Sequence, residues 1–482
     1  MKSSNYVWKL ILLIFIWSSN SCFAIETNFL DPSDHSKTSL TSQSERLVGE
    51  KIMQKIHGTD FLIPDPVVNE YLGQLAKKFG SKVNITDFKL HFFGVDTPEF
   101  NAFAFFGGHV AVHSGLILAV GNESELAAVL AHETAHISQR HLARTVAANK
   151  QMMPLTYAEI LAAIAIGALA SPEAGAHLIT AAMAGHVQQM INFTRDHEKE
   201  ADRIGIKLLA DSNYDPNAMI TVFERMKKRT RYHEMPPEYL MTHPVFDSRI
   251  SDAQHRAAAF PKPTNLTDSL QFHLVRARLE VGKEENTTRK INRLKAELQS
   301  NPNKIAAQYG YALALLKNRK ANLALPILKE LVAKHPEQWI LELALSEALE
   351  VDGQIEAALI QSKRLLQSHP GNSAIILHTA DLYLKNNQAQ ETLNLLFPYR
   401  KTADYPVIHQ MMARAYSKTK QPALVHRSQA EWHLIRGEFK AAYKQLDLAL
   451  EYASQNSQIA MQIKERKNTI KKLEKNQDAV KL

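Results

Sequence analysis

Apolar and polar positions follow different periods in different parts of the chain. From Leu126 to Arg144 the apolar residues recur at helical spacing. Asn122, with Glu125 three positions on, reads as a capping box at the start of that helix, which is predicted to run through Arg144. Upstream, Asp65-Pro66 predicts another helix start, with Asp as cap and Pro in the first turn, and the helix extends to Gly80. Between these helices the period shortens to that of strands. Asp87 to Val95 reads as one strand. Asn101–Phe106 and His109–Ser114, joined by Gly107-Gly108, read as a β-hairpin.

Beyond residue 268 the pattern is helical and repeats. Pro302, Pro336 and Pro370 are 34 residues apart. In the same register Ala312, Ser346 and Ala380 supply small residues where paired helices approach closely, and Ala324 and Ala358 supply a second small position. Leu315, Leu349 and Tyr383 share a large one. A 34-residue period of this kind resembles the tetratricopeptide repeat, and Asn387 onward and Gly437 onward read as further, degenerate helix pairs. Each pair buries its apolar face only against its neighbours, so stacking creates a concave surface suited to a protein partner.

Two apolar stretches stand apart. Lys2 and Lys9 precede the apolar run Leu10–Trp17, and Cys22-Phe23-Ala24 offers small residues for cleavage, so residues 1–24 read as a signal peptide and the mature chain as periplasmic. An uncleaved anchor or a lipoprotein attached at Cys22 are the alternatives. Ile160–Ala170, within the apolar segment 155–170, is shorter than the roughly 20 residues a membrane-spanning helix needs. It reads as a helical hairpin or as a flap that covers the active site or touches a membrane.

Composition adds little: 45% apolar and 22% charged residues describe a soluble globular chain. Of the formal charge of +8, part leaves with Lys2 and Lys9, and the lysines of the last twenty residues read as a solvated face, so nucleic acid is not an expected partner. The length predicts more than one domain. Prolines 261 and 263 place a linker at 257–268, between residues 25–256 and the repeats at 269–482.

The chemistry falls in the first half. His132-Glu133-x-x-His136 on the predicted helix puts two imidazoles one turn apart on one face, where both reach one ion, with Glu133 beside them as the base for water. A third ligand is needed. Gln139 and Leu142 stand where an extended motif would place Gly and His, which argues against that type. Arg195–Asp202 offers Glu198 as ligand and Asp202, one turn on, as hydrogen-bond partner of a ligating imidazole. His197 and Glu200 compete with Glu198, and a charged solvated face is the plain alternative for the whole segment.

His-Glu-x-x-His followed some sixty residues later by Glu-x-x-Ala-Asp resembles the M48 peptidases, as do Asn101-Ala102-Phe103-Ala104, Gly107-Gly108 and Gly115-Leu116. The resemblance spans roughly residues 45–255. It implies an α+β, mostly helical fold, a zincin-like metalloprotease domain followed by an all-α repeat solenoid, with one zinc per chain, Glu198 as third ligand and Asp202 behind a ligand. The combination with secretion and repeats resembles the periplasmic members. It implies cleavage and chaperone-like binding of misfolded or stalled outer-membrane proteins and contact with their assembly machinery. The hairpin edge beside the metal suits an extended substrate backbone. His243, ahead of Pro244 in an extended segment, is expected as a fourth, regulatory ligand, with a surface loop residue or a transition-state donor as the alternative, and Arg249 as a donor to the substrate carbonyl once that loop withdraws. A non-catalytic assembly factor with a latent zinc site is the alternative, against which the intact Glu133 argues.

Overall fold

The structure, a computed structural model, describes residues 41–148, 195–230, 239, 243–245, 247–261, 267–283, 287–401, 405–455 and 457–479. Residues 1–24 with Cys22, the segment 155–170 and the middle of 257–268 lie outside the described residues.

Helix α1 (Ser42–His57) is capped by Thr41, whose hydroxyl accepts from the Ser44 N–H. Helix α2 (Pro66–Gly80) starts as predicted: Asp65 Oδ1 accepts from the Val67 N–H at 2.9 Å. Its Val68, Leu72, Leu75 and Phe79 recur at helical spacing and are all buried. A three-stranded sheet follows, in the order β1-β3-β2, with β1 (His91–Val95) parallel to β3 (His109–His113) and β2 (Ala102–Phe105) antiparallel to it. The hairpin is present. The first strand begins at His91 rather than Asp87, because its partner in the ladder begins at His109. Before His109 the chain turns through Gly107 and Gly108, both at positive φ, and a Cβ on Gly108 would stand 2.5 Å from the Lys89 carbonyl oxygen.

After the short α3 (Ser114–Ala119), helix α4 (Glu123–Ser138) carries the histidine motif. Half of the expected capping box forms. Asn122 Oδ1 accepts from the Glu125 N–H at 2.8 Å, but Glu125 turns to the Gly121 N–H and to Arg225. The helix does not reach Arg144. It stops at Ser138, and α5 (His141–Ala148) starts anew after Arg140, whose φ of 52° is left-handed. A buried ion pair with Glu45 of α1 holds the Arg140 side chain at this break. Helix α6 (Arg195–Asp211) packs on α4, followed by α7 (Ala218–Thr230) and α8 (Asp247–Ala257).

The remainder is stacked helix pairs: α9 (Leu270–Lys283) with α10 (Thr287–Ser300), α11 (Ile305–Lys317) with α12 (Ala321–Lys334), α13 (Trp339–Val351) with α14 (Ile355–Ser368), α15 (Ser373–Lys385) with α16 (Ala389–Leu396), α17 (Val407–Lys418) with α18 (Pro422–Ile435), and α19 (Phe439–Glu451) with α20 (Gln458–Ala479). The first helices of four successive pairs start at 305, 339, 373 and 407, so the 34-residue period continues one pair past the last aligned proline. The turns inside three pairs use Arg319, Gly353 and Asn387, all left-handed and in the same register. Asn387 therefore marks the middle of a pair rather than its start. Ala312, Ser346, Ala380, Ala324 and Ala358 are fully buried, as close helix approach requires.

The apolar core does not stop between the halves. One continuous cluster includes Leu72 and Phe79 of α2, Leu126 and Leu130 of α4, Phe272 of α9 and Ile340 of α13. Arg278 of α9 crosses the same seam, meeting Asp65 at the cap of α2 and Glu347 of α13. Among the described residues no helix is long and apolar enough to cross a membrane.

Candidate metal centre

Helix α4 is buried on every side along its second half, so His132, Glu133 and His136 lie in the interior. Helix α6 approaches it closely at Gly205, where a Cβ would stand 3.3 Å from the His132 backbone nitrogen and 3.1 Å from Met219 Cε. That approach brings Glu198 and Asp202 to the imidazoles. His243, in the stretch before α8, completes the group.

Four side chains, His132, His136, Glu198 and His243, present donor atoms within 4.8 Å of one another and can hold one ion. His132 Nε2 is 3.0 Å from His136 Nε2, 3.4 Å from Glu198 Oε2 and 3.3 Å from His243 Nδ1. Glu198 Oε1 is 3.4 Å from His136 Nε2 and 3.0 Å from His243 Nδ1. Donors sharing one tetrahedral zinc at ~2.1 Å stand about 3.4 Å apart. The nitrogen–oxygen donor set and these edges therefore fit a single zinc-sized ion.

The surrounding groups fix this arrangement. Asp202 Oδ1 lies 2.9 Å from His132 Nδ1, on the side away from the other donors. Burial works against a charged His132, but Asp202 and Glu198 outweigh it and raise its pKa to about 9. Burial and the neighbouring His132 push His136 well below its usual range. Glu198 is held well below the carboxylate range, against its burial, by His243 and His132. Glu133 goes the other way: burial raises it, only partly offset by His243 and His132. Its Oε2 accepts from the Ala104 N–H of β2 at 3.0 Å, and its Oε1 stands 3.4 Å from His243 Nε2.

Arg249 is engaged on every side in this arrangement. It sits in the first turn of α8, not in a loop, and its guanidinium is buried. Nε and Nη2 donate to the two oxygens of Asp202 at 2.7 Å each, Nη1 donates to the Pro244 carbonyl at 2.7 Å, and Nη1 also stands 2.8 Å from Glu198 Oε2. Its donors face the carboxylates and the loop, and it braces Asp202 and Glu198. Glu200 and His197, the competing ligands, are not in the four-donor group. Glu200 pairs with His141 and Arg144, and His197 stacks on His141.

Tyr239 escaped the sequence reading. It is buried, and its ring lies 4.7 Å from that of His243 and 6.5 Å from that of His132. Its carbonyl accepts from the His243 N–H at 2.8 Å, so the four-residue spacing before His243 was the available signal. Burial, then Glu133 and Glu198, push its hydroxyl well above the usual phenol range.

Comparison with known proteins agrees with this geometry. Residues 66–257 match Peptidase family M48. The chain is 36% identical over 403 residues to the Beta-barrel assembly-enhancing protease of Escherichia coli, covering 82% of this chain and 81% of that one. It is 35% identical over 433 residues to the Putative beta-barrel assembly-enhancing protease of Vibrio cholerae, covering 88% and 86%. A shorter match, 29% over 202 residues, joins 42% of the chain to 54% of the Mitochondrial metalloendopeptidase OMA1 of Schizosaccharomyces pombe.

Proposed function

The chain belongs to peptidase family M48 and is a metallopeptidase, and from that premise we propose that it is a periplasmic zinc endopeptidase acting in the assembly and quality control of outer-membrane β-barrel proteins. The observation that carries the catalytic reading is the buried set of four donor atoms within 4.8 Å of one another with Glu133 beside it. His132, His136 and Glu198 would hold the ion, and Asp202, braced by Arg249, would orient His132. A zinc ion there supplies Lewis acidity toward water and the scissile carbonyl.

The chain's own groups do the rest. Glu133, oriented by the Ala104 N–H and raised by burial, takes a proton from water as the water oxygen adds to the carbonyl carbon. It returns that proton to the amine nitrogen as the C–N bond breaks. Strand β2, at the sheet edge and in contact with Glu133, suits an extended substrate backbone, and pairing of this kind reads conformation more than sequence. Stalled β-rich chains fit that requirement. His243 is the fourth, regulatory ligand of a resting state.

The relatives' names and the signal-like residues 1–24 support the outer-membrane setting. The stacked helix pairs give the chaperone-like binding surface and the contact with the assembly machinery. Glu133→Gln tests the catalytic reading. The amide keeps the shape of the site but accepts no proton, so the variant retains its metal and loses cleavage of an unfolded polypeptide by at least roughly a hundredfold. Cleavage near the wild-type rate by this variant would overturn it.

A further inference from the structure

A second histidine–carboxylate pair stands behind the site. The break at Arg140 turns the chain so that His141, the first residue of α5, points back at α4. Its Nδ1 lies 2.9 Å from His136 Nδ1, and its Nε2 lies 2.9 Å from Glu200 Oε2. Arg144, one turn further along α5, donates to the same Glu200 oxygen at 3.0 Å. His197 stacks flat on the His141 ring, with centroids 4.4 Å apart and planes 12° apart. His141 is fully buried, and its ring is stacked on one face and held at both nitrogens.

The tautomers follow from this order. A carboxylate gripped by Arg144 only accepts, so His141 carries its proton on Nε2. The neutral ring is then an acceptor at Nδ1, and only a proton on His136 Nδ1 can fill the 2.9 Å contact. That leaves the lone pair of His136 on Nε2, the atom facing His132 and Glu198. We propose that His141 is a positioning residue for His136, relaying the hold of Glu200 onto the second imidazole of the metal site. It does for His136 what Asp202 does for His132, through a neutral ring instead of a direct carboxylate. The site thereby gains a fixed tautomer without a third anion against the ligands. The proposal rests on the reading of His136 Nε2 as a ligand atom.

The test measures zinc affinity of the metal-free full-length chain by competition with a chelator, for wild type, His141→Phe, His141→Asn, Glu200→Ala, the double variant of His141→Phe with Glu200→Ala, and His132→Ala. Loss of an orienting partner weakens metal binding by roughly 10- to 100-fold, which is the expectation for His141→Phe. Asn places an oxygen near the position of Nδ1, so His141→Asn recovers most of that loss. Glu200→Ala falls between the two and adds nothing further in combination with His141→Phe. Wild-type affinity in His141→Phe alongside loss in His132→Ala overturns the relay and leaves the site intact. Wild-type affinity in His132→Ala overturns the site itself, and the relay with it. Should His141→Phe fail to fold, Glu200→Ala at the rim decides alone: a loss of about threefold or more supports the relay, and none overturns it.

Discussion

At the scale of single residues, the site is defined by which atoms face one another. On the proposed reading, His243 Nδ1 takes the position at which a tetrahedral site with three protein ligands holds its water; it stands 3.3 Å from His132 Nε2 and 3.0 Å from Glu198 Oε1, and its Nε2 stands beside Glu133. His243→Ala is therefore expected to keep its zinc and to cleave unfolded protein faster. If the open state is about a tenth of the population, the gain is roughly tenfold. A fall in rate at full zinc occupancy would make His243 a catalytic donor instead of a latch. The two imidazoles were legible in the sequence because helical spacing puts His132 with His136 on one face, whereas spacing left Glu198 open against Glu200 and His197, and the family resemblance pointed to Glu198 and Asp202. The orientation of Arg249 was not legible, because it depends on where α6 lies against α8. Tyr239 was hidden for a similar reason: only its four-residue spacing from His243 points to the histidine ring it packs against.

At the scale of elements, the packing of α6 on α4 sets the ligand geometry. Gly205 is the contact point, with His132 and Ala131 backbone atoms within 3.4 Å of a would-be Cβ. Gly205→Val should push the helices apart, destabilise the fold by about 1–3 kcal/mol and weaken zinc binding about tenfold. Thermal melting and chelator competition check both effects. Unchanged zinc affinity would mean that Glu198 is placed independently of this contact. The boundaries of α2 and the β-hairpin were readable because their signals are local: an Asp-Pro cap and a Gly-Gly turn. The end of α4 was not. The apolar pattern continues past Ser138, and only the distant Glu45 reveals why Arg140 leaves the helix.

At the scale of the whole molecule, the catalytic half and the repeats share a core and polar seams. Arg436, in the turn between α18 and α19, donates to the carbonyl of His57 at the end of α1 at 2.7 Å. His57 is buried and nearby His109 is half-buried. Burial first, then the neighbouring histidines, lower their pKa values to about 4 and about 3, with Arg436 adding to the effect on His57. Both values lie below the unfolded value of about 6.5. The folded chain thus binds fewer protons, and stability present above pH 6.5 is lost as the pH falls. Each histidine contributes a loss of up to roughly 2 kcal/mol between pH 7 and pH 5. Melting curves should show this loss, and His57→Asn should make it shallower. An equal slope in the variant would remove His57 from the account. The 34-residue period made the repeats legible, but their union with the catalytic half rests on scattered contacts such as Arg278 with Asp65, which no local pattern announces.

The central claim is that His132, His136 and Glu198 hold one zinc ion. Elemental analysis of the purified full-length chain beside Glu198→Ala tests it most directly. The account predicts about one zinc per wild-type chain and little or none in the variant, with both proteins folded. A wild-type chain that binds no zinc, or a variant that keeps it undiminished, would contradict it.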